Sequence, residues 1–175
     1  MKRLGLFRHA KSEWDDMNLR DFDRGLNERG RRGAALMGRH MREYGAKWDL
    51  VIASAAERVR QTIAAADLSW PVEFTERAYL ADTSTLFDLL RERGADNDAV
   101  LLAGHNPGLH DMVFEIASDS RPPELLEEAG LKLPTASFLV FELAIDDWND
   151  IDRGCGTLVH FARPRDLDAE LGPEH

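Results

Sequence analysis

Short apolar runs alternate with amphipathic stretches along most of the chain. LGLF, residues 4–7, has the length of a buried strand and stops abruptly at Arg8 and His9. Residues 12–27 are polar and loop-like. Residues 28–44 have a helical composition, with Ala34, Met37, Met41 and Tyr44 spaced for one face. Gly30, Gly33 and Gly38 weaken that helix intrinsically and would permit close packing. WDLVIAS, residues 48–54, predicts a second strand. The following ASAAERVRQTIAAADL switches to a helical period, with Val59, Ile63 and Ala66 facing a sheet and Ser54 and Glu57 spaced as a capping box. Residues 70–74 predict a short strand. Asp82 is placed to cap a helix whose apolar stripe is Leu86, Leu89 and Leu90.

The strand-to-helix transition repeats further on. Residues 99–103 are mostly apolar, as a buried parallel strand requires. Asn106 is placed to cap the next helix, and Pro107 suits its first turn. A proline-rich, acidic excursion covers residues 121–133. Residues 137–145 and 156–163 read as two strands paired antiparallel across DDWNDIDRG. Repeated strand-then-helix units favour an α/β domain, with α+β packing as the alternative. The expected fold is a single-domain, three-layer α/β/α arrangement with a mostly parallel central sheet and an antiparallel edge strand. Residues 166–175 are charged and expected as a loose tail, so the domain is expected to span residues 1–165.

A length of 175 residues suits one domain with a sizeable core. The formal net charge of −10 disfavours nucleic acid and anionic membranes as partners. It leaves room for an anionic substrate, because a local arginine cluster can oppose the global field. Cys155 is the single cysteine, so an internal disulfide and an all-cysteine metal site are ruled out. With no run of 18 apolar residues and no leader-like N-terminus, a cytoplasmic setting is expected. No coiled-coil stripe asks for association, and a monomer is expected.

The candidate chemistry lies where strands end. Arg8 offers a fork of donors suited to phosphate oxygens, and His9 can be a base or a covalent nucleophile. The carboxyl end of a strand in an α/β sheet is a common place for a ligand. His105, in GHNPG, also follows an apolar strand and precedes a helix whose N-terminus favours an anion. Arg58 lies in the first turn of its helix, where a cation is disfavoured unless an anion sits nearby. Read one at a time, each of these residues also fits a plain structural role; together they point to a shared site.

RHAKS, ASAAERVRQT and LLAGHNPG, with DFDRGLNERG between the first two, resemble the histidine phosphatase superfamily. More narrowly they resemble the short SixA-like phosphohistidine phosphatases, over residues 4–161. The resemblance implies that His9 is the phosphorylated nucleophile, that Arg8 and Arg58 bind phosphoryl oxygens, and that His105 completes the pocket. It implies a catalytic domain acting on a phosphorylated protein or peptide, without cofactor or metal. Asn106 and Ser12 are further candidates for binding phosphate, and Lys11 and Trp14 for touching substrate. Larger relatives often supply a glutamate as general acid between the second arginine and the second histidine. Here Glu76 and Asp82 are the candidates, and neither matches cleanly.

Other readings find less support. There is no HExxH run, no GxSxG elbow, no GxxxxGK[ST] loop and no dinucleotide fingerprint. A small-molecule phosphomonoesterase and a noncatalytic phosphate-binding protein remain as alternatives. Specificity is expected in the 12–27 loop or the 119–135 excursion.

Overall fold

A computed structural model describes residues 1–172. Residues 173–175, the end of the expected tail, lie outside the described residues. Among the described residues, seven strands form one sheet: β1 Lys2–Arg8, β2 Leu50–Ser54, β3 Val72–Thr75, β4 Ala99–Gly104, β5 Ala117–Ser120, β6 Phe138–Leu143 and β7 Gly156–Ala162. Their order is β3-β2-β4-β1-β6-β7-β5. The pairs β2–β3, β2–β4, β1–β4 and β5–β7 are parallel. β6 runs antiparallel to both β1 and β7, and the β6–β7 pair is the one expected across DDWNDIDRG.

Helices cover both faces. On one, α1 (Glu28–Tyr44) and α2 (Glu57–Ala66) bury Met37, Met41, Val59 and Ile63 against Phe7, Val51 and Val140. On the other, α3 (Thr83–Gly94), α4 (Gly108–Ile116) and α5 (Glu124–Leu131) cover Leu4, Leu6, Val100 and Leu102. Along β1 the side chains therefore alternate between two buried faces, which is why the strand reads as a continuous apolar run. No helix among the described residues is long and apolar enough to cross a membrane.

Two helix glycines are explained by close approach. A Cβ on Gly38 would lie 2.0 Å from the Ala66 carbonyl oxygen, so α1 and α2 touch backbone to backbone there. A Cβ on Gly30 would lie 2.1 Å from the Lys11 carbonyl oxygen, which seats the first loop on α1. Asn27 caps α1 by accepting from Gly30 N at 2.7 Å, and Asp82 caps α3 by accepting from Thr85 N at 2.9 Å.

Two expected caps are not formed. Ser54 and Glu57 make no capping box: α2 starts at Glu57 behind Ala56, with no side-chain cap. Asn106 does not cap α4, which starts at Gly108 behind Pro107, again without a side-chain cap. Both side chains are engaged elsewhere, as described below. The 119–135 excursion contains part of β5 and all of α5. The charged C-terminal segment, expected as a loose tail, forms α6 (Pro164–Leu167) and a 3-10 turn at Ala169–Leu171. It is tied to α1 through Arg29 Nη2, which donates to the Gly172 carbonyl, and through Arg32 with Asp168 and Glu170.

Candidate active site

The parallel register of β1 and β4 pairs Arg8 with Gly104. Each strand then delivers one histidine at the same level: His9 follows β1 and His105 follows β4. His9 N donates to the Gly104 carbonyl at 3.0 Å, fixing the two crossings together. The rings lie 5.3 Å apart, centroid to centroid, at 54°. Both residues are buried, His9 at 8% exposure and His105 at 4%.

His9 has a determined tautomer. Its Nδ1 is 2.7 Å from the Ala10 carbonyl oxygen, which can only accept, so Nδ1 carries the proton and Nε2 keeps its lone pair. Burial, with smaller contributions from the Arg8, His105 and Arg58 charges, pushes its pKa down to about 3 against the one hydrogen bond that raises it. The ring is a neutral nitrogen base at neutral pH. Burial first, and then Arg58 and Arg8, push His105 down to about 4, while Asp21 pulls it upward. Nε2 of His105 sits 2.8 Å from the Ser54 hydroxyl, which also accepts from Ala56 N at 3.2 Å. This use of Ser54 replaces its expected capping role.

Arg58 projects from the first turn of α2 and is 5% exposed. Its Nη1 donates to the Asp21 carbonyl at 2.8 Å and its Nη2 to the Asp21 carboxylate at 3.1 Å. Tyr79 donates its hydroxyl to the same carboxylate oxygen. That hydrogen bond, with Arg58, holds the Asp21 carboxyl below the usual range. Tyr79 also meets the His105 ring edge-on at 5.5 Å. Arg8 Nη1 donates to the Leu133 carbonyl at 3.0 Å, and burial followed by the Arg58 charge lowers its pKa. Arg8 Nε, His105 Nδ1 and Asn106 Oδ1 are buried without a hydrogen-bond partner. Such unsatisfied groups are rare in folded proteins, and three of them belong to residues lining one cavity.

That cavity is about 600 Å³ in volume, and Arg8, His9, Arg58 and His105 all line it. Two guanidinium groups and two neutral imidazoles converging on one space can hold a tetrahedral oxyanion and present a nitrogen lone pair to it. The family model for the histidine phosphatase superfamily (branch 1) matches residues 4–85. An uncharacterized protein of Mycobacterium tuberculosis (strain H37Rv) is 35% identical over 159 residues, covering 90% of this chain and 99% of that protein.

The chain belongs to the histidine phosphatase superfamily.

Its fold is SixA-like. The SixA structure from Nakamurella multipartitia matches with a TM-score of 0.80 and 26% identity, covering 93% of this chain and 96% of that one. SixA from Agrobacterium tumefaciens matches at 0.76 and 29%, covering 93% and 98%. A protein histidine phosphatase SixA complexed with tungstate has the same fold, at 0.73 and 21%, covering 95% and 99%.

In this superfamily member the remaining candidates divide. Lys11, Ser12, Trp14 and Asn106 line the cavity with the central four. Asn106 is anchored there by donating from Nδ2 to the Leu133 carbonyl at 3.0 Å, the same oxygen that receives Arg8. Trp14 is 62% exposed, with the Arg24 guanidinium 4.1 Å over its ring. Glu76 and Asp82 do not line the cavity. Glu76 is exposed in the 3-10 turn Glu76–Ala78. The exposed Asp82 carboxyl is committed to capping α3, and the Thr85 hydrogen bond holds it below the usual range.

Three residues that shape the site were not singled out from the sequence. Asp21 and Tyr79 orient Arg58. Thr62 ties the first loop to α2: its Oγ1 accepts from Ala10 N at 2.9 Å and donates to the Arg58 carbonyl at 2.6 Å. Its neighbour Gln61 accepts from Leu26 N at 2.7 Å. Gln61 and Thr62 of the ASAAERVRQT pattern thus hold the loop that follows the nucleophile candidate. That pattern was the signal that could have found Thr62.

Proposed function

We propose that the chain is a metal-independent phosphatase that carries the phosphoryl group on His9 and takes phosphohistidine in a protein or peptide as its substrate. The observation that carries this reading is the neutral His9 ring, locked by the Ala10 carbonyl with Nε2 free, beside two buried arginines and 5.3 Å from His105. In the first transfer, the Nε2 lone pair forms a bond to phosphorus while the bond from phosphorus to the substrate nitrogen breaks. The leaving imidazole, already protonated on its other ring nitrogen, takes that electron pair and departs neutral. In the second, water attacks phosphorus, the bond to Nε2 breaks, and inorganic phosphate leaves. Arg8 and Arg58 bind the equatorial oxygens, whose charge redistributes during transfer. His105, with Nε2 engaged by Ser54, has Nδ1 for a phosphoryl oxygen.

The carboxylates support this substrate class. Among the described residues lining the cavity, Asp21 alone carries one, and its hydrogen bonds with Tyr79 and Arg58 keep it ionised. An alkoxide leaving group asks for a proton from a raised-pKa carboxylic acid. A protonated imidazole leaves without one. This favours cleavage of a phosphorus–nitrogen bond.

The test uses the full chain without added metal. A phosphohistidine peptide and an aryl phosphate are supplied in parallel, and the protein is quenched for acid-labile phosphate. Turnover of the peptide with a trapped label that vanishes in His9→Ala is expected. Undiminished turnover in His9→Ala would sink the assignment, and binding without label or turnover would identify a noncatalytic phosphate-binding protein.

A further inference from the structure

Leu80 combines two features that rarely meet in one surface leucine. Its backbone is left-handed, with φ at 50°, and its side chain is 52% exposed. Among the described residues, four non-glycine positions have positive φ, and Leu80 alone of them carries a large apolar side chain. Glycine or asparagine adopts that conformation at little cost, whereas a bulky side chain crowds its own backbone there. Burial could compensate a leucine for the crowding, but this one is half in water. Its side chain instead lines the candidate active-site cavity.

The conformation is imposed from both sides. Before it, Tyr79 donates to Asp21 and meets the His105 ring edge-on. Phe22 packs edge-on against the Tyr79 ring at 5.0 Å, which joins the first loop to this turn. After it, the Ala81 carbonyl oxygen lies 2.1 Å from where a Cβ on Gly108 would be, at the start of α4. Asp82 then caps α3. With both neighbours tied to elements of the site, Leu80 is held in its strained form at the cavity. Trp14 lines the same cavity from the first loop, 62% exposed, with Arg24 over its ring. His9, His105 and Arg58 are buried. A phosphoryl group therefore binds among buried side chains, and the exposed apolar pair meets the parts of a substrate further from phosphorus.

We propose that Leu80, together with Trp14, is a specificity-determining contact that takes an apolar side chain next to the phosphorylated residue of a peptide substrate. The proposal rests on the phosphopeptide reading above and adds to it a preference for apolar sequence context. A polar neighbour at that position would bury no apolar surface against the leucine, so it gains nothing from the contact.

The experiment compares two phosphohistidine peptides that differ only in having Leu or Ser beside the histidine. It measures kcat/KM on each, and thermal melts, for the wild type, Leu80→Asn, Leu80→Met and Leu131→Asn. Leu131 is 85% exposed at the end of α5 and does not line the cavity, so it controls for the loss of a surface leucine. The wild type is expected to favour the Leu peptide by about fivefold. The preference should disappear in Leu80→Asn while that protein melts no lower than the wild type, because asparagine tolerates positive φ. It should persist in Leu80→Met and in Leu131→Asn. Equal rates on the two peptides in the wild type, or a preference that Leu80→Asn keeps, overturns the proposal. A preference lost equally in Leu131→Asn overturns it too. A Leu80-dependent preference for aryl over alkyl phosphates, with none between peptides, overturns the peptide neighbour as occupant. If neither peptide is turned over, the phosphohistidine reading has failed on its own. Calorimetric binding of the unphosphorylated Leu and Ser peptides to the tungstate-loaded protein then decides: tighter, Leu80-dependent binding of the Leu peptide supports the contact, and its absence overturns it.

Discussion

Replacing His9 by glutamine should change how stability depends on pH. The imidazole is buried and neutral, with a folded pKa of about 3, whereas an unfolded histidine titrates near 6.5. Between those values the unfolded chain binds a proton that the folded chain refuses. The stability contributed by neutral His9 is therefore fully present above about pH 6.5 and is lost as pH falls toward 3. From pH 7 to pH 5 one such group costs about 2 kcal/mol, because each pH unit below 6.5 is worth about 1.36 kcal/mol. His105, lowered to about 4, acts in the same direction over the same interval. Urea titrations of wild type and His9→Gln at pH 7, 6 and 5 measure this directly. The two proteins should converge by about 2 kcal/mol on acidification, since glutamine has no proton to gain. Parallel stability curves, or a His9 ring titrating near 6.5 by NMR, would show that the ring is not held neutral by its surroundings.

Four further outcomes are expected. Thr62→Val leaves the Ala10 N–H without its acceptor, so stability should fall by about 1–3 kcal/mol in urea unfolding, and kcat should fall with it. Gly38→Ala drives a methyl into the Ala66 carbonyl, and a loss of about 1–3 kcal/mol is expected by thermal or urea melts. Asp82→Ala should cost about 1 kcal/mol through the lost cap, with kcat retained; a collapse of kcat would return this residue to the list of acids. Arg58→Lys should weaken tungstate binding by about tenfold or more, measured calorimetrically, because an ammonium cannot serve Asp21 and an oxyanion with one planar fork.

The main architecture was legible because both ends of its signal are local. Apolar runs broken by Arg8–His9 and by His105 mark the strand ends, and the helical period of residues 28–44 coincides with α1. Arg58 at a helix start was legible as an electrostatic oddity. Two of the three expected caps failed for a shared reason: tertiary partners outbid the local ones. The Ser54 hydroxyl serves His105, and the Asn106 amide serves the Leu133 carbonyl. Asp21 stayed hidden because its meaning depends on Arg58, 37 residues away, and a loop aspartate has no periodicity to betray it. β5 was missed because ASDS has no apolar alternation; its pairing with β7 supplies what its composition lacks.

The alignment of Arg8 with Gly104 has a consequence for how such a protein can diverge. Adding or deleting a single residue within β1 or β4 would rotate one histidine to the opposite side of the sheet, so length changes there would separate the two rings. Insertions in the first loop or around α5 leave that alignment untouched. The His9–His105 pair is thus insulated from the surrounding loops, and a lineage can lengthen those loops while the two rings stay side by side.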